Sequence, residues 1–218
     1  MWGSKLIRWC GLAFAVSGPL FAAIAIVHPD VPKSTFARAL LGDPYWVAEH
    51  VASVFAAVLM LFGLIGLYAR QVERTAILGL SGFVMAFFGL VVVACLAFFE
   101  AFLMPVIAAE SPEVFNWDGP LLSSPLVRTG LALAALYPMG FILFGIATMR
   151  AGVLPRAAAL LLTIAVPLAM GLEGLFVPVL GIASMMVLSV AHVWLGYALW
   201  SGKTEEAALR LPQRPHLH

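Results

Sequence analysis

The sequence predicts an all-α integral membrane protein, a single bundle of six transmembrane helices with both termini in the cytoplasm. Three observations predict it. The chain of 218 residues is 63% hydrophobic and 11% charged, where a soluble domain carries about a quarter charged residues. Its mean hydropathy is +1.03. Six apolar runs are each long enough to cross a hydrocarbon core of about 30 Å at about 1.5 Å per helical residue.

The runs are Leu6–His28, Val47–Ala69, Ala76–Met104, Val127–Met149, Ala157–Val177 and Leu180–Trp200. Lys5 and Arg8 stand at the start of the first, as in the charged start of a signal peptide. This run is longer than a typical signal core of about 7–15 residues and no Ala-x-Ala site directly follows it, so it reads as a retained helix. Residues 1–201 form the membrane domain in this reading, and 202–218 a short cytoplasmic tail containing Pro212 and Pro215.

Basic residues set the orientation. With cytoplasmic termini, Lys5, Arg8, Arg70, Arg74, Arg150, Arg156, Lys203, Arg210 and Arg214 face inward, whereas Lys33, Arg38 and Arg128 face outward. This bias places a multi-pass chain in the plasma (inner) membrane. Trp9, Tyr68 and Trp200 fall near the inner interface, and Tyr45 and Trp46 near the outer one.

The inner connections, Arg70–Thr75 and Arg150–Arg156, read as short turns. The outer ones, Pro29–Trp46 and Pro105–Leu126, are long, and such loops serve as lids or binding segments or simply join distant helices. Pro19, Pro138 and Pro167 fall inside helical runs, where each removes an amide donor and bends its helix. Glu100-Ala-Phe-Leu-Met-Pro105 and Glu173-Gly-Leu-Phe-Val-Pro178 close two runs alike. With Leu61-Phe-Gly63 and Leu143-Phe-Gly145 they raise a duplicated hairpin as one explanation.

Ionisable groups inside apolar runs are expensive, so their placement carries the functional argument. Glu100 and Glu173 each lie five residues before a proline at the outer helix end, about 7 Å inside it. His50, with Glu49 beside it, enters the second helix from the same face. His28 closes the first helix there, ahead of Pro29-Asp30, and Arg128 opens the fourth. These groups share one slab of the outer leaflet. His192, about 18 Å down the sixth helix, belongs to a different layer.

Two carboxylates in a low-dielectric slab need compensation. Protonation, pairing with Arg128 or a histidinium, and a bound cation each supply it. His28, His50, Glu100 and Glu173 offer a two-nitrogen, two-carboxylate set for a divalent transition metal. A bis-histidine haem fits the inventory less specifically. Three functions remain open: metal- or haem-based redox or hydrolytic chemistry on a lipid-soluble or small substrate, proton-coupled transport using Glu100 and Glu173, and a non-catalytic subunit with a structural polar cluster.

Other chemistry finds no support. The formal net charge of +1, without a basic aromatic stripe, gives no nucleic-acid signature. There is no Cys-x2-Cys, His-Glu-x-x-His, Walker loop, dinucleotide fingerprint or Gly-x-Ser-x-Gly elbow. Cys10 and Cys95 read as buried thiols, and Met185-Met186 as packing. The bilayer is the expected partner, and the sequence leaves oligomeric state open.

Overall fold

The computed structural model describes residues 2–29, 36–115, 119–174 and 178–202. These are helical almost throughout, with no strand among the described residues. The tail from 203 onward lies outside them.

Helix α1 spans Trp2–Val27 and continues through Pro19. A short α2 (Phe36–Gly42) precedes α3 (Trp46–Phe102), which is 57 residues long. Straight, α3 would extend for about 85 Å, far beyond one bilayer. It is folded at Ala76, whose φ of 47° and ψ of −151° are not helical. Its two arms run antiparallel, since the Trp46 indole Nε1 donates to the Glu100 carbonyl at 2.8 Å, joining the hairpin's open ends. Where the sequence predicts a loop over Arg70–Thr75, the helix instead persists through 75 and reverses at one residue.

The connection after α3 contains α4 (Met104–Glu110), a 3-10 turn (Pro112–Phe115) and α5 (Pro120–Ser123). Leu40 of α2, Trp46, Met104 and Ala108 pack into a small core of their own, bordered by Phe99, Ile107 and Leu121. The segment predicted as irregular loop is therefore a packed cap at the open end of the hairpin.

The next apolar run divides into α6 (Pro125–Leu133) and α7 (Leu136–Ala151). The break has a local cause. Pro138 has no amide to offer the carbonyl four residues back, that of Ala134. The chain substitutes tighter bonds there, with Ala135 N donating to Ala132 O and Tyr137 N to Ala134 O. Gly152, left-handed at φ 64°, ends α7. Helices α8 (Arg156–Gly174) and α9 (Pro178–Ser201) follow, and α8 runs through Pro167 unbroken.

Among the described residues, four helical stretches are long and apolar enough to cross a membrane: Lys5–Val27, Trp46–Phe102, Pro125–Ala151 and Val179–Ser201. Arg156–Gly171 is a shorter apolar helix. The helices close a ring in which α1 packs on α3 and α9, α3 on α7, α7 on α8, and α8 on α9. Phe14, Met60, Leu64, Leu90, Phe141, Phe144, Leu162 and Leu195 fill its centre. Small residues permit the close contacts: a Cβ on Gly89 would meet Tyr137 N at 2.1 Å, and one on Gly196 would meet Gly11 O at 2.5 Å.

The outside of the ring is as apolar as its centre. Trp9, Val16, Phe55, Phe62, Ile77, Phe88, Phe98 and Phe102 are all exposed, an apolar surface that suits lipid and not water. At the end opposite the cap, Arg8 Nε donates to the Trp200 carbonyl at 2.8 Å, its guanidinium 5.4 Å from the Trp200 ring centroid.

Candidate metal centre

The hairpin and the end of α1 bring four ionisable side chains together beside the cap. His50 lies one helical turn after Trp46, on the same face. Its Nδ1 is 2.7 Å from the Trp46 carbonyl oxygen. A carbonyl oxygen can only accept, so Nδ1 carries the proton and Nε2 presents a lone pair. Stacking on the Trp46 indole (centroids 4.3 Å apart, planes at 28°) fixes the ring further. The second arm of α3 then places Glu100 Oε2 at 3.5 Å from His50 Nε2.

His28 follows the last turn of α1, and its ring centroid is 5.5 Å from that of His50. Its Nδ1 is 3.0 Å from the Pro29 carbonyl oxygen. The same reasoning leaves its Nε2 free to coordinate. Both imidazoles are thus held through Nδ1 by main-chain oxygen, the arrangement that orients histidines at metal sites.

Glu49 completes the group. Its side chain is 2% exposed, yet among the described residues neither carboxylate oxygen has a hydrogen-bond partner. Oε1 is 3.5 Å from His50 Nδ1, whose proton is directed at Trp46. A carboxylate removed from water without donors or a cation is strongly disfavoured. One donor atom each from His28, Glu49 and His50 lie within 4.8 Å of one another, and no other such trio of His, Cys, Asp or Glu occurs among the described residues.

Two imidazoles and a carboxylate form a ligand set suited to zinc or to non-haem iron, with Glu100 adjacent as a fourth ligand or a base. Donors around one zinc ion stand roughly 3.3 Å apart, given bonds of about 2.0–2.1 Å. The three donors here lie within 4.8 Å of one another, so a bound ion would have to draw them closer. The site is enclosed on one side and open on the other. Glu49 and His50 are buried, His28 is exposed, and the Glu100 side chain is 38% exposed.

Of the four residues the sequence suggests as ligands, His28, His50 and Glu100 come together here. The Glu173 side chain lies outside the described residues, although its backbone belongs to α8. Asp30 also lies outside them. Arg128 is exposed near the start of α6. Glu49, read from sequence as a neighbour of His50, is instead the most buried acid of the group.

His192 occupies another layer. It is fully buried, stacked on Phe14, with Nδ1 3.1 Å from Ser17 Oγ. Phe14 precedes His28 by fourteen residues on α1, about 21 Å along the axis. Cys10 is buried and Cys95 exposed, both as free thiols, so the burial expected from sequence applies to Cys10 alone.

Comparison of the chain with protein families, with characterised proteins and with solved structures finds no significant match.

Proposed function

We propose that this is a six-span integral membrane protein with a divalent transition-metal centre at the extracytoplasmic end of its bundle. The ligands in this reading are His28, Glu49 and His50, with Glu100 at the open edge. The observation that carries it is the Glu49 carboxylate, enclosed beside His50 and within ligand reach of His28, with no hydrogen-bond partner among the described residues. A cation answers all three groups at once, which a single salt bridge does not.

The six crossings follow from counting the arms of α3 separately. Residues 46–75 and 77–102 extend about 45 and 39 Å, each enough to span. Arg8, Arg70, Arg74, Arg150 and Arg156 then share the cytoplasmic end, and the His/Glu group faces outward. A metal held by two nitrogens and a carboxylate, with an open side, supports hydrolysis by an activated water or redox chemistry.

Elemental analysis with an absorption spectrum on detergent-purified, metal-loaded protein tests this reading. The expected result is about one divalent ion per chain in the wild type, and loss of that ion in His50→Ala and Glu49→Gln. A wild-type chain that retains no transition metal after loading overturns it. If the same substitutions lower thermal stability and nothing else, the group is structural.

A further inference from the structure

Helix α7 and the second arm of α3 are joined by glycine contacts in one antiparallel register. A Cβ added to Gly82, Gly89 or Gly140 would collide with main-chain atoms of Phe144, Tyr137 and Ala86 in turn. Continued toward the His/Glu group, this register sets Leu133 opposite Val93, Gly130 opposite Leu96 and Leu126 opposite Glu100. At about 100° per residue, Leu133, Gly130 and Leu126 stay on the face of Gly140, and Val93 and Glu100 on the face of Gly82 and Gly89. The contact nevertheless stops at Tyr137. Helix α6 has no buried residue, and Leu126 and Leu133 are 85% and 50% exposed. Among the described residues, no neighbouring atom lies within 4 Å of a Cβ added to Gly130.

The divergence begins at a hinge. Ala134 N donates to Leu131 O, Ala135 N to Ala132 O and Tyr137 N to Ala134 O, and a 3-10 stretch inside a longer helix often marks a hinge. Pro138 has no amide for the Ala134 carbonyl, so bending at this turn sacrifices no α-helical bond there. Gly130 carries the second half of the argument. Glycine weakens a helix interior, and no neighbour seen here requires its missing side chain. On the same face Gly140 is required, because Ala86 packs directly against it. The same need arises at Gly130 when α6 lies against Leu96.

We infer that α6 is a flap, hinged at residues 134–137, that closes on the second arm of α3 and covers the open edge of the His/Glu group. In the closed state Leu133, Gly130 and Leu126 seat on Val93, Leu96 and Glu100, extending the contact that α7 already makes. In the open state seen here, the Glu100 side chain is left 38% exposed. The movement stands on packing alone. That it governs access to a metal rests on the centre proposed above.

Disulfide trapping in the full-length chain tests this. The chain has two cysteines, so Cys10→Ala with Cys95→Ala gives a thiol-free background. The pairs Val93→Cys with Leu133→Cys, and Glu100→Cys with Leu126→Cys, are opposed in the closed state, where Cα atoms reach the roughly 4.4–6.8 Å that a disulfide needs. Leu126→Cys with Phe98→Cys is the control, because Phe98 is exposed on the opposite face of that arm from Glu100. Diamide is expected to form an intramolecular disulfide in both closed-state pairs at least about tenfold faster than in the control. Gly130→Leu is expected to keep the wild-type melting temperature or raise it, and to slow both disulfides about tenfold by blocking close approach. With the Val93→Cys, Leu133→Cys pair oxidised, removal of bound zinc by EDTA is expected to slow about tenfold, and reduction restores the rate.

Closed-state pairs that react no faster than the control overturn the inference, since α6 then has no preferred seat on the arm. Disulfide rates unchanged by Gly130→Leu overturn it too, because closure would not use the face described. If the locked protein loses zinc as fast as the reduced one, the flap does not guard the site, and the inference fails while the metal centre stands. If zinc never binds, the metal reading fails instead. The disulfides then decide the flap by themselves, with the Glu100→Cys, Leu126→Cys pair reporting whether the edge is covered.

Discussion

His50 and His192 are scaffolded in almost the same way. Each ring is buried, each stacks on an aromatic side chain at a centroid distance of 4.3 Å, and each is held through Nδ1. Ser17 uses its own proton on the Phe14 carbonyl at 2.8 Å, so its oxygen must accept from His192 Nδ1. Both rings thus present a bare Nε2. For His50 that atom faces Glu100 at 3.5 Å, with His28 across the gap and the buried Glu49 beside Nδ1. For His192 it meets no hydrogen-bond partner in the packed interface of α1 and α9. A histidine's scaffold does not distinguish a candidate ligand from a packed side chain. The carboxylates around the ring do.

The comparison is broken most directly by removing each ring in turn. His50→Ala is expected to weaken metal binding by at least about 100-fold, beyond the loss of about 10–100-fold typical of an outer-shell partner. His192→Ala is expected to leave metal affinity within a factor of two or so and to lower stability instead, by roughly 2–5 kcal/mol as for other large-to-small core changes. Calorimetric titration with zinc and detergent-based unfolding measure the two quantities separately. Metal loss in His192→Ala as large as in His50→Ala would erase the distinction between the sites.

A second test acts on the surroundings of His192. An added Cβ on Gly18 would stand 2.6 Å from His192 Cβ and 2.9 Å from Ser189 Cα. The latter is backbone and cannot rotate away, so α1 and α9 must separate. Gly18→Ala is expected to cost about 1–3 kcal/mol of stability, the usual range for overpacking, with metal content of the folded protein unchanged. An unfolding midpoint equal to that of the wild type would show that this interface yields more easily than its contacts imply.

How much of this was legible in the chain differs between the two regions. The apolar runs announced the helices because the period and length of a membrane-crossing run are properties of local sequence. Pro138 announced the interruption of its helix, and the broken turn falls four residues earlier, at the carbonyl it fails to serve. The reversal of α3 was displaced because Ala76 carries no mark of a turn. No glycine or proline stands there, and Arg70–Thr75 looked like the loop. The cap was not legible because Leu40, Trp46, Met104 and Ala108 come from distant segments, and their packing is tertiary.

In the site, His28, His50 and Glu100 could be brought to one slab by counting residues to the helix ends. The same count put Glu49 in the slab beside His50 but left it out of the ligand set. Adjacent helical residues diverge by about 100°, so the count alone does not display that Glu49 and His50 meet at one group. Their convergence requires the His50 ring to be drawn back on Trp46, a hydrogen bond that sequence does not display.

Trp46 makes a finer test, because it touches one histidine site and not the other. Its carbonyl accepts from His50, its ring stacks on His50, and its indole joins the ends of the hairpin through Glu100 O. Trp46→Phe keeps the carbonyl and an aromatic face but deletes the indole donor. Metal affinity is expected to fall by about tenfold, or about 1.4 kcal/mol. An unchanged affinity would mean that the spacing of the hairpin ends does not govern the position of Glu100.

The smallest expected effect comes from Ser17→Ala, which deprives His192 Nδ1 of its acceptor without altering volume much. Hydrogen bonds between membrane helices contribute about 0.6 kcal/mol on average and rarely above about 1.7, since the separated helices find other partners. A loss of that size is expected on unfolding, with zinc affinity equal to wild type. The value of so mild a change is that it leaves the fold intact. A measurable drop in zinc affinity in Ser17→Ala could not then be assigned to unfolding. It would mean that α1 transmits the state of the buried pair to His28 at its end, and the two histidines would have to be treated as one coupled system.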